Sequence, residues 1–177
     1  MLLVTISAGY FFAAKILGIS QAEQYGMSGK VVGLLFGVGF IIAAIASHYY
    51  PVMKNKFGNL RLLAIATLLL LTSFIFAKFV GVILGSLLII TRIASSTSFG
   101  NAKSVVVNGF ISSKNRATSL STLALLSQIP FAVSFYFVGK YIDNYSPNSF
   151  AFLLGILLIV FLVPQLFLAR KILFRKE

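Results

Sequence analysis

The residues of this sequence that could do chemistry are few, and most of them are cations. The chain has 15 Lys and Arg, three acidic residues, one histidine and no cysteine. Without cysteine, thiol chemistry, disulfides and thiolate metal sites are excluded. Acid–base, nucleophilic or metal-assisted catalysis needs paired carboxylates, a nucleophile beside its base, or a ligand cluster. Three scattered acids and a single histidine suggest none of these, so we expect no enzyme, no metal and no cofactor.

Two cations lie inside a long apolar run. Arg92, Ser96, Phe99 and Lys103 follow one another at i, i+4, i+7 and i+11, which places them on one face of a helix. A cation within hydrocarbon is costly, so it normally faces a partner or a wet cavity. The pattern predicts that Arg92, Ser96 and Lys103 line a substrate path. The alternative for Arg92 is structural, a pairing with helix-end carbonyls or with a missing partner chain.

Two further polar side chains interrupt apolar runs. Gln128, which precedes Pro130, and Tyr10 are candidates for the same path. Hydrogen bonding between helices is the alternative for both, and for Gln128 it is the favoured interpretation. His48 near the end of a run is interpreted as an interfacial side chain.

The elements that must position these residues are membrane helices. Of the 177 residues 59% are hydrophobic and only 10% are charged, with a mean hydropathy of +0.99, against about 45–50% apolar and about 25% charged residues in soluble domains. The apolar runs have the length of a bilayer span, and they show no strand-like alternation. We predict an all-α polytopic protein with six spans, at about Leu2–Ile19, Val31–Met53 (ending at Pro51), Leu60–Ala77, Val80–Ile111, Ala117–Val138 and Phe150–Leu168.

The boundary between the third and fourth spans is marked weakly. Residues 62–90 are almost unbroken apolar sequence, with Lys78 and Gly81 as the only punctuation. One helix of this length would exceed a bilayer of roughly 30 Å. We therefore predict a tight turn at Lys78–Gly81, and without that turn the span count would be five.

The cations at the ends of the spans predict the orientation. Three lie between the second and third spans, two between the fourth and fifth, and four in the tail: Lys54, Lys56, Arg61; Lys114, Arg116; Arg170, Lys171, Arg175, Lys176. Short loops rich in Lys and Arg stay cytoplasmic, so both termini are predicted to be cytoplasmic in the cytoplasmic membrane. Because the cations sit at the ends of apolar runs and not on one amphipathic face, nucleic acid is not expected as a partner.

The two halves of the chain are weakly similar. Pro51–Asn59 (PVMKNKFGN) and Gly139–Pro147 (GKYIDNYSP) each carry Asn or Asp at their fifth position, and these residues, Asn55 and Asp143, are 88 positions apart. Three spans followed by three related spans must be inverted in the membrane. We predict two inverted three-helix repeats in a single bundle, residues 1–78 and 79–177.

Three stretches resemble the carboxy-terminal half of a major facilitator superfamily transporter. They are the loop Pro51–Arg61, the RAT sequence at Arg116–Thr118 that opens the fifth span, and Gly139–Asp143 that closes it. In the family's loop signature, Pro51 replaces a glycine and Asn55 replaces an aspartate. The order and spacing of the three stretches follow the family over nearly the whole chain.

This resemblance implies transport of a small solute by alternating access. It implies a gating role for residues at the span ends: Asn55, Lys56, Gly58, Arg61, Arg116 and Asp143. A positive φ at Gly58 would suit a tight turn between two helices. Such a transporter has two six-helix halves, so we expect a second six-helix bundle, either a separate amino-terminal half or a second copy of this chain.

Two alternatives stay open at the level of sequence. One is the small substrate-capture subunit of an energy-coupled vitamin importer, which also has about six spans. The other is a membrane fragment without function of its own. Neither the substrate nor the energy source is indicated by the residues.

Overall fold

The chain folds into helices that differ widely in how much of their surface is buried. The computed structural model describes residues 1–111 and 116–173, and this part of the chain contains no strand. The helices are α1 (Leu2–Phe12), α2 (Gly18–Gln24), α3 (Gly29–His48), α4 (Tyr50–Phe57), α5 (Asn59–Phe76), α6 (Val82–Phe110), α7 (Arg116–Asn144) and α8 (Pro147–Leu173). A π-helical turn, Ala13–Leu17, joins α1 to α2. These three pieces together form the first span, Leu2–Gln24.

The described part of the chain has six helices that are long and apolar enough to cross a membrane: the first span, α3, α5, α6, α7 and α8. The prediction of an all-α polytopic protein with six spans is confirmed. The turn predicted at Lys78–Gly81 is confirmed as well, since α5 ends at Phe76 and α6 begins at Val82.

Several predicted ends of spans were wrong. The second span does not continue to Met53: α3 ends at His48, and a separate short helix, α4, begins at Tyr50 with Pro51 in its first turn. Proline has no N–H to donate and suits the first turn of a helix, where that donor is not needed. The first span continues past Ile19 to Gln24 and the fifth past Val138 to Asn144, because polar residues end a hydrophobic run without ending a helix.

The six spans put the beginning of α1 and the end of α8 at the same end of the bundle. We call it the α4 end, because α4 lies there too. The opposite end, the turn end, carries the three short connections between the first span and α3, α5 and α6, and α7 and α8. Lys114, Arg175 and Lys176 of the predicted cytoplasmic cations lie outside the described residues, as do the side chains of Arg116, Arg170 and Lys171.

Helices that follow one another in the chain are not always the helices that pack together. Helix α6 packs on α3 and α5, the first span packs on α7 and α8, and α5 packs on α8. These principal contacts map onto one another when each span is exchanged for the one three places along, whereas the contact of α7 with α8 has no comparable counterpart between α3 and α5. Helices α5 and α8 begin at Asn59 and Pro147, 88 residues apart.

Close contacts at the centre of the bundle depend on small residues. A Cβ on Gly9 of α1 would lie 2.8 Å from Leu158 of α8 and 3.1 Å from Leu70 of α5. A Cβ on Gly155 of α8 would lie 2.9 Å from Ile75 of α5. Small residues let helix backbones approach in membranes, where dispersion forces drive association. The core therefore lies between α1, α5 and α8.

Candidate functional site

Four spans meet around the side chain of Arg92. Its Nε donates to Ser73 Oγ on α5 at 3.0 Å, and its Nη1 donates to Gln21 Oε1 on α2 at 2.9 Å. Gln21 Nε2 in turn donates to Asn148 Oδ1 on α8 at 2.9 Å. The backbone N–H of Asn148 donates to Gln24 Oε1 at 2.9 Å. This set, Arg92, Ser73, Gln21, Gln24 and Asn148, is called the Arg92 network below.

Local helix geometry explains why these residues meet. Arg92 is about 15 Å along α6 from its start, and side chains in helices point back toward the helix N-terminus, here the turn end. Gln21 and Gln24 are one turn apart on α2 and share a face. Asn148 lies in the first turn of α8, where backbone N–H groups have no partner within the helix. The network therefore gathers at the turn end of the bundle.

The centre of the Arg92 network is buried, and only Gln24 at its edge is exposed. Arg92 is 4% exposed, and Gln21 and Ser73 are fully buried. The Arg92 guanidinium also lies over the Phe74 ring, with Cζ 4.8 Å from the ring centroid. Among the described residues no carboxylate pairs with it, so uncharged oxygens and an aromatic face hold the buried charge.

The structure thus places Arg92 inside the bundle and not on a cavity wall. Its partners are side-chain oxygens, which differ from the helix-end carbonyls considered in the sequence alternative. A substrate path at Arg92 would require this network to open, and that path stays a prediction.

Tyr10 lies next to the Arg92 network, on the side toward the α4 end. Its hydroxyl donates to the Ala66 carbonyl at 2.7 Å and lies 3.1 Å from Ser95 Oγ, which in turn donates to the Arg92 carbonyl at 3.1 Å. The Tyr10 ring packs on Phe99 with centroids 5.0 Å apart. Tyr10 therefore joins the first span to α5 and α6, which is the interhelical hydrogen bonding weighed from the sequence.

The other predicted path residues lie on the outside of the bundle. Gln128 on α7 is exposed and hydrogen-bonds to no described residue, so the interhelical bond favoured from the sequence is not formed within this part of the chain. Ser96 and Lys103 on α6 are half-buried: Ser96 donates to the Ile93 carbonyl at 2.7 Å, and Lys103 Nζ donates to Ser7 Oγ at 3.2 Å. Lys15, in the π-helical turn, is exposed.

These outer residues belong to one side of the molecule. Gly9 packs on α5 and α8, whereas Ser7 and Phe11, which contact Lys103 and Lys15, are turned about 160° away from Gly9. On α7, Gln128 is about 140° from Tyr141, whose ring lies 5.9 Å from that of Phe150 on α8. We name this side the polar face, defined by Lys15, Ser96, Lys103, Ser121 and Gln128; Ser121 is exposed two turns before Gln128.

The opposite side of the bundle is apolar. Every exposed residue of α8 between Ile156 and Leu168 is apolar. On α5, the exposed Thr72 hydroxyl donates to carbonyls of its own helix. Helices α5 and α8 therefore have surfaces suited to lipid.

The predicted gating residues fall into two separate places. Asn55, Lys56, Gly58 and Arg61 lie together at the α4 end and are exposed. Asp143 is exposed at the turn end, close to the end of α7. Helix α7 begins at Arg116, whose side chain lies outside the described part of the chain.

Helix α4 and the start of α5 form a structured loop. Gly58 between them has φ +78°, which confirms the positive φ predicted there. The Tyr50 hydroxyl donates to Asn59 Oδ1 at 2.7 Å, and burial raises the pKa of Tyr50, which favours the protonated donor. Lys56 Nζ lies 5.4 Å from the Phe57 ring, and Asn55 and Arg61 hydrogen-bond to no described residue. The loop is fixed in shape, while neither Lys56 nor Arg61 forms an ion pair with a described residue.

Sequence reasoning missed most of the Arg92 network. The predicted first span ended at Ile19, which left Gln21 and Gln24 in a loop. Ser73 and Asn148 were not singled out. The one available signal was the pair of glutamines one turn apart directly after a span.

No protein-family model, no curated protein and no solved structure matches this chain. A function can therefore be inferred only from the geometry of the two ends of the bundle and of the polar face.

Proposed function

We propose that this chain is one six-helix bundle of a membrane transporter that moves a small solute by alternating access against a second six-helix bundle. The bundle lies in the cytoplasmic membrane with its α4 end inside, and its polar face lines the solute path. The proposed relationship is to the carboxy-terminal half of a major facilitator superfamily transporter.

The observation that carries this proposal is the polar face. Gln128 is about 18 Å from the start of α7 and Lys15 about 20 Å from the start of α1, so both lie well inside a span. Both are exposed, and neither has a hydrogen-bond partner among the described residues. Ionisable and amide groups at membrane depth normally face water or another protein. This side of the bundle therefore needs a water-filled path, a second bundle, or both.

The packing of the spans supports the same proposal. The principal helix contacts map onto one another when each span is exchanged for the one three places along, although the contact of α7 with α8 has no comparable counterpart between α3 and α5. Inverted three-helix repeats with this relation are an architecture of secondary transporters. The loop Pro51–Arg61, with Gly58 at positive φ, is where the resemblance to the superfamily is strongest.

Labelling can test the polar face, because the chain has no native cysteine. Single cysteines at Ser121 and Gln128 should react with a membrane-impermeant maleimide in intact cells or in inside-out vesicles. A cysteine at Val160, exposed on α8 about 20 Å from its start, is the matched control and should not react. The result would count against the proposal if none of the three cysteines reacts and Gln128→Cys also forms no cross-link to another helix.

The orientation has its own test. A cysteine at Asn55 on the exposed α4 should react only after the membrane is opened. Reaction of Asn55→Cys from outside intact cells would place the α4 end outside and overturn the proposed topology.

Purification from native membranes can distinguish the three candidate functions. A transporter half should co-purify with a second six-helix bundle, or with a second copy of itself, and should transport a solute in vesicles. Retention of a tightly bound vitamin together with an ATPase complex would instead identify a capture subunit. A stable monomer with no transport in vesicles would favour a fragment.

A further inference from the structure

An apolar groove runs between α3, α4, α5 and α6, from Met53 at the α4 end to Ile90 and Thr91 inside the bundle. Its volume is about 270 Å³. Its walls on α5 extend from Leu62 to Leu69, a distance of about 10 Å. The other lining residues come mainly from α3 and α6, with Met53 from α4: Ile42, Ala46, Met53, Ile90, Thr91, Ala94, Ser95 and Ser98.

The groove is apolar in its chemistry as well as its composition. The hydroxyl of Ser95 donates to the Arg92 carbonyl, and that of Ser98 lies 3.5 Å from the Ala94 carbonyl. Both hydroxyls are thus directed to their own helix. The walls therefore suit a hydrocarbon chain better than a polar solute.

Two unpaired cations stand at the mouth of this groove. Lys56 follows the groove residue Met53 by three positions on α4, so the two share a side of that helix. Arg61, Ile65 and Leu69 follow one another at i, i+4 and i+8 on α5, and the last two line the groove. Arg61 lies in the first turn of α5 and points toward the α4 end. No described carboxylate pairs with either cation.

We propose that this groove is a binding site for an anionic phospholipid. One acyl chain occupies the groove, and the phosphate lies between Lys56 and Arg61. The combination of an apolar slot with free cations at the depth of lipid headgroups favours this occupant. A neutral lipid would leave the cations without counter-charges, and a soluble anion would leave the apolar slot empty. Anionic lipids attract basic segments beside membrane helices.

The groove is distinct from the polar face. On α6 the groove residue Ala94 and the polar-face residue Ser96 are turned about 160° from each other. The lipid site therefore does not depend on the proposed solute path, and a failure of either proposal leaves the other standing.

The test uses the full chain in nanodiscs of phosphatidylcholine doped with phosphatidylglycerol. The lipid that remains after detergent extraction and stripping is identified by mass spectrometry. The double variant Lys56→Gln/Arg61→Gln removes the headgroup contacts, and Ala94→Leu fills the groove. The matched controls are Lys78→Gln/Lys140→Gln at the turn end and Ala64→Leu on the exposed side of α5.

We expect the native chain to retain phosphatidylglycerol in preference to phosphatidylcholine. The Lys56→Gln/Arg61→Gln variant should lower that preference by about thirtyfold, since each of the two cations near the membrane surface contributes about 1 kcal/mol. Ala94→Leu should release both lipids, and both controls should behave as the native chain. If Ala94→Leu lowers thermal stability, Ala46→Leu on the facing wall repeats the test.

Three results would overturn the site. A turn-end charge variant that reduces retention as much as Lys56→Gln/Arg61→Gln would show attraction by net charge alone. A groove variant without effect, beside an effective charge variant, would show surface binding without acyl-chain insertion. Equal retention of the two lipids by the native chain would exclude recognition of the anionic headgroup.

Discussion

The cations at the two ends of the bundle have opposite environments. At the turn end, Arg92 is almost fully buried, and its guanidinium contacts Ser73, Gln21 and the Phe74 ring. At the α4 end, Lys56 and Arg61 are exposed and hydrogen-bond to no described residue. One region uses a cation to join helices, and the other leaves its cations available to something outside the bundle.

This difference shows what a cation in a membrane protein can be used for. A guanidinium carries five N–H donors in a planar fork, and Arg92 directs two of them to acceptors on two different spans. Burial without a counter-ion is costly unless such hydrogen bonds are made. Exposed cations at the interface have no such cost, so they can change partner. The predictions below test whether this contrast between the two ends holds.

The largest effect should come from Arg92→Met, which keeps much of the side-chain length and removes the donors. Gln21 Oε1 would lose its partner inside the buried core, and Ser73 Oγ would keep only its own hydrogen bond to the Leu70 carbonyl. We expect the free energy of unfolding in detergent to fall by about 2–4 kcal/mol, measured by denaturant titration.

The matched control is Lys103→Met on the same helix. Lys103 is half-buried and makes one hydrogen bond, to Ser7, so its loss should lower the free energy of unfolding by about 1 kcal/mol or less. Equal effects of the two variants would show that the Arg92 network does not hold the turn end together.

A second large effect should come from Gly85→Ala near the turn end. The Tyr25 hydroxyl donates to the Ala77 carbonyl at 2.9 Å, and its ring lies so close to Gly85 that a Cβ there would be 2.4 Å from ring atoms. We expect overpacking to lower the free energy of unfolding by about 1–3 kcal/mol. On the same helix Gly100 has no neighbour within 4 Å of a Cβ, so Gly100→Ala should be neutral or stabilising by up to about 1 kcal/mol. If both variants are neutral, the close packing of Tyr25 on α6 is not present in the protein.

Local features could be predicted from the sequence better than contacts between distant spans, and the reason is physical. The helix count, the Lys78–Gly81 turn and the positive φ of Gly58 follow from hydropathy and from local backbone sterics, which a sequence displays directly. The Arg92 network depends on residues far apart in the chain, with Gln21 and Asn148 separated by 127 positions. Their polarity is visible in the sequence, but the packing that brings four spans together is not. Only Arg92 itself could be identified, because a cation in an apolar run needs a partner of some kind.

At the α4 end the backbone should matter more than the charges. Gly58 has φ +78° and no heavy atom within 4 Å of a Cβ position, so Gly58→Ala adds strain without a clash. Its ψ of 159° places it in a conformation that is essentially restricted to glycine, so we expect the free energy of unfolding to fall by about 1–3 kcal/mol. Gly58→Asn should cost about as much as Gly58→Ala, because asparagine tolerates the left-handed helical region and not this one. If Gly58→Ala is neutral, this backbone conformation is not present in the protein.

The smallest effect on stability should come from Lys56→Gln/Arg61→Gln. Exposed cations without an ion pair contribute little to folding, so the free energy of unfolding should change by less than about 0.5 kcal/mol. The same variant should still lose its preference for anionic lipid, because these two cations are free to bind outside the bundle. A loss of stability as large as that of Gly58→Ala would mean that the cations are held within the folded chain. In that case the α4 end would use its charges as the turn end does, and the contrast between the two regions would fail.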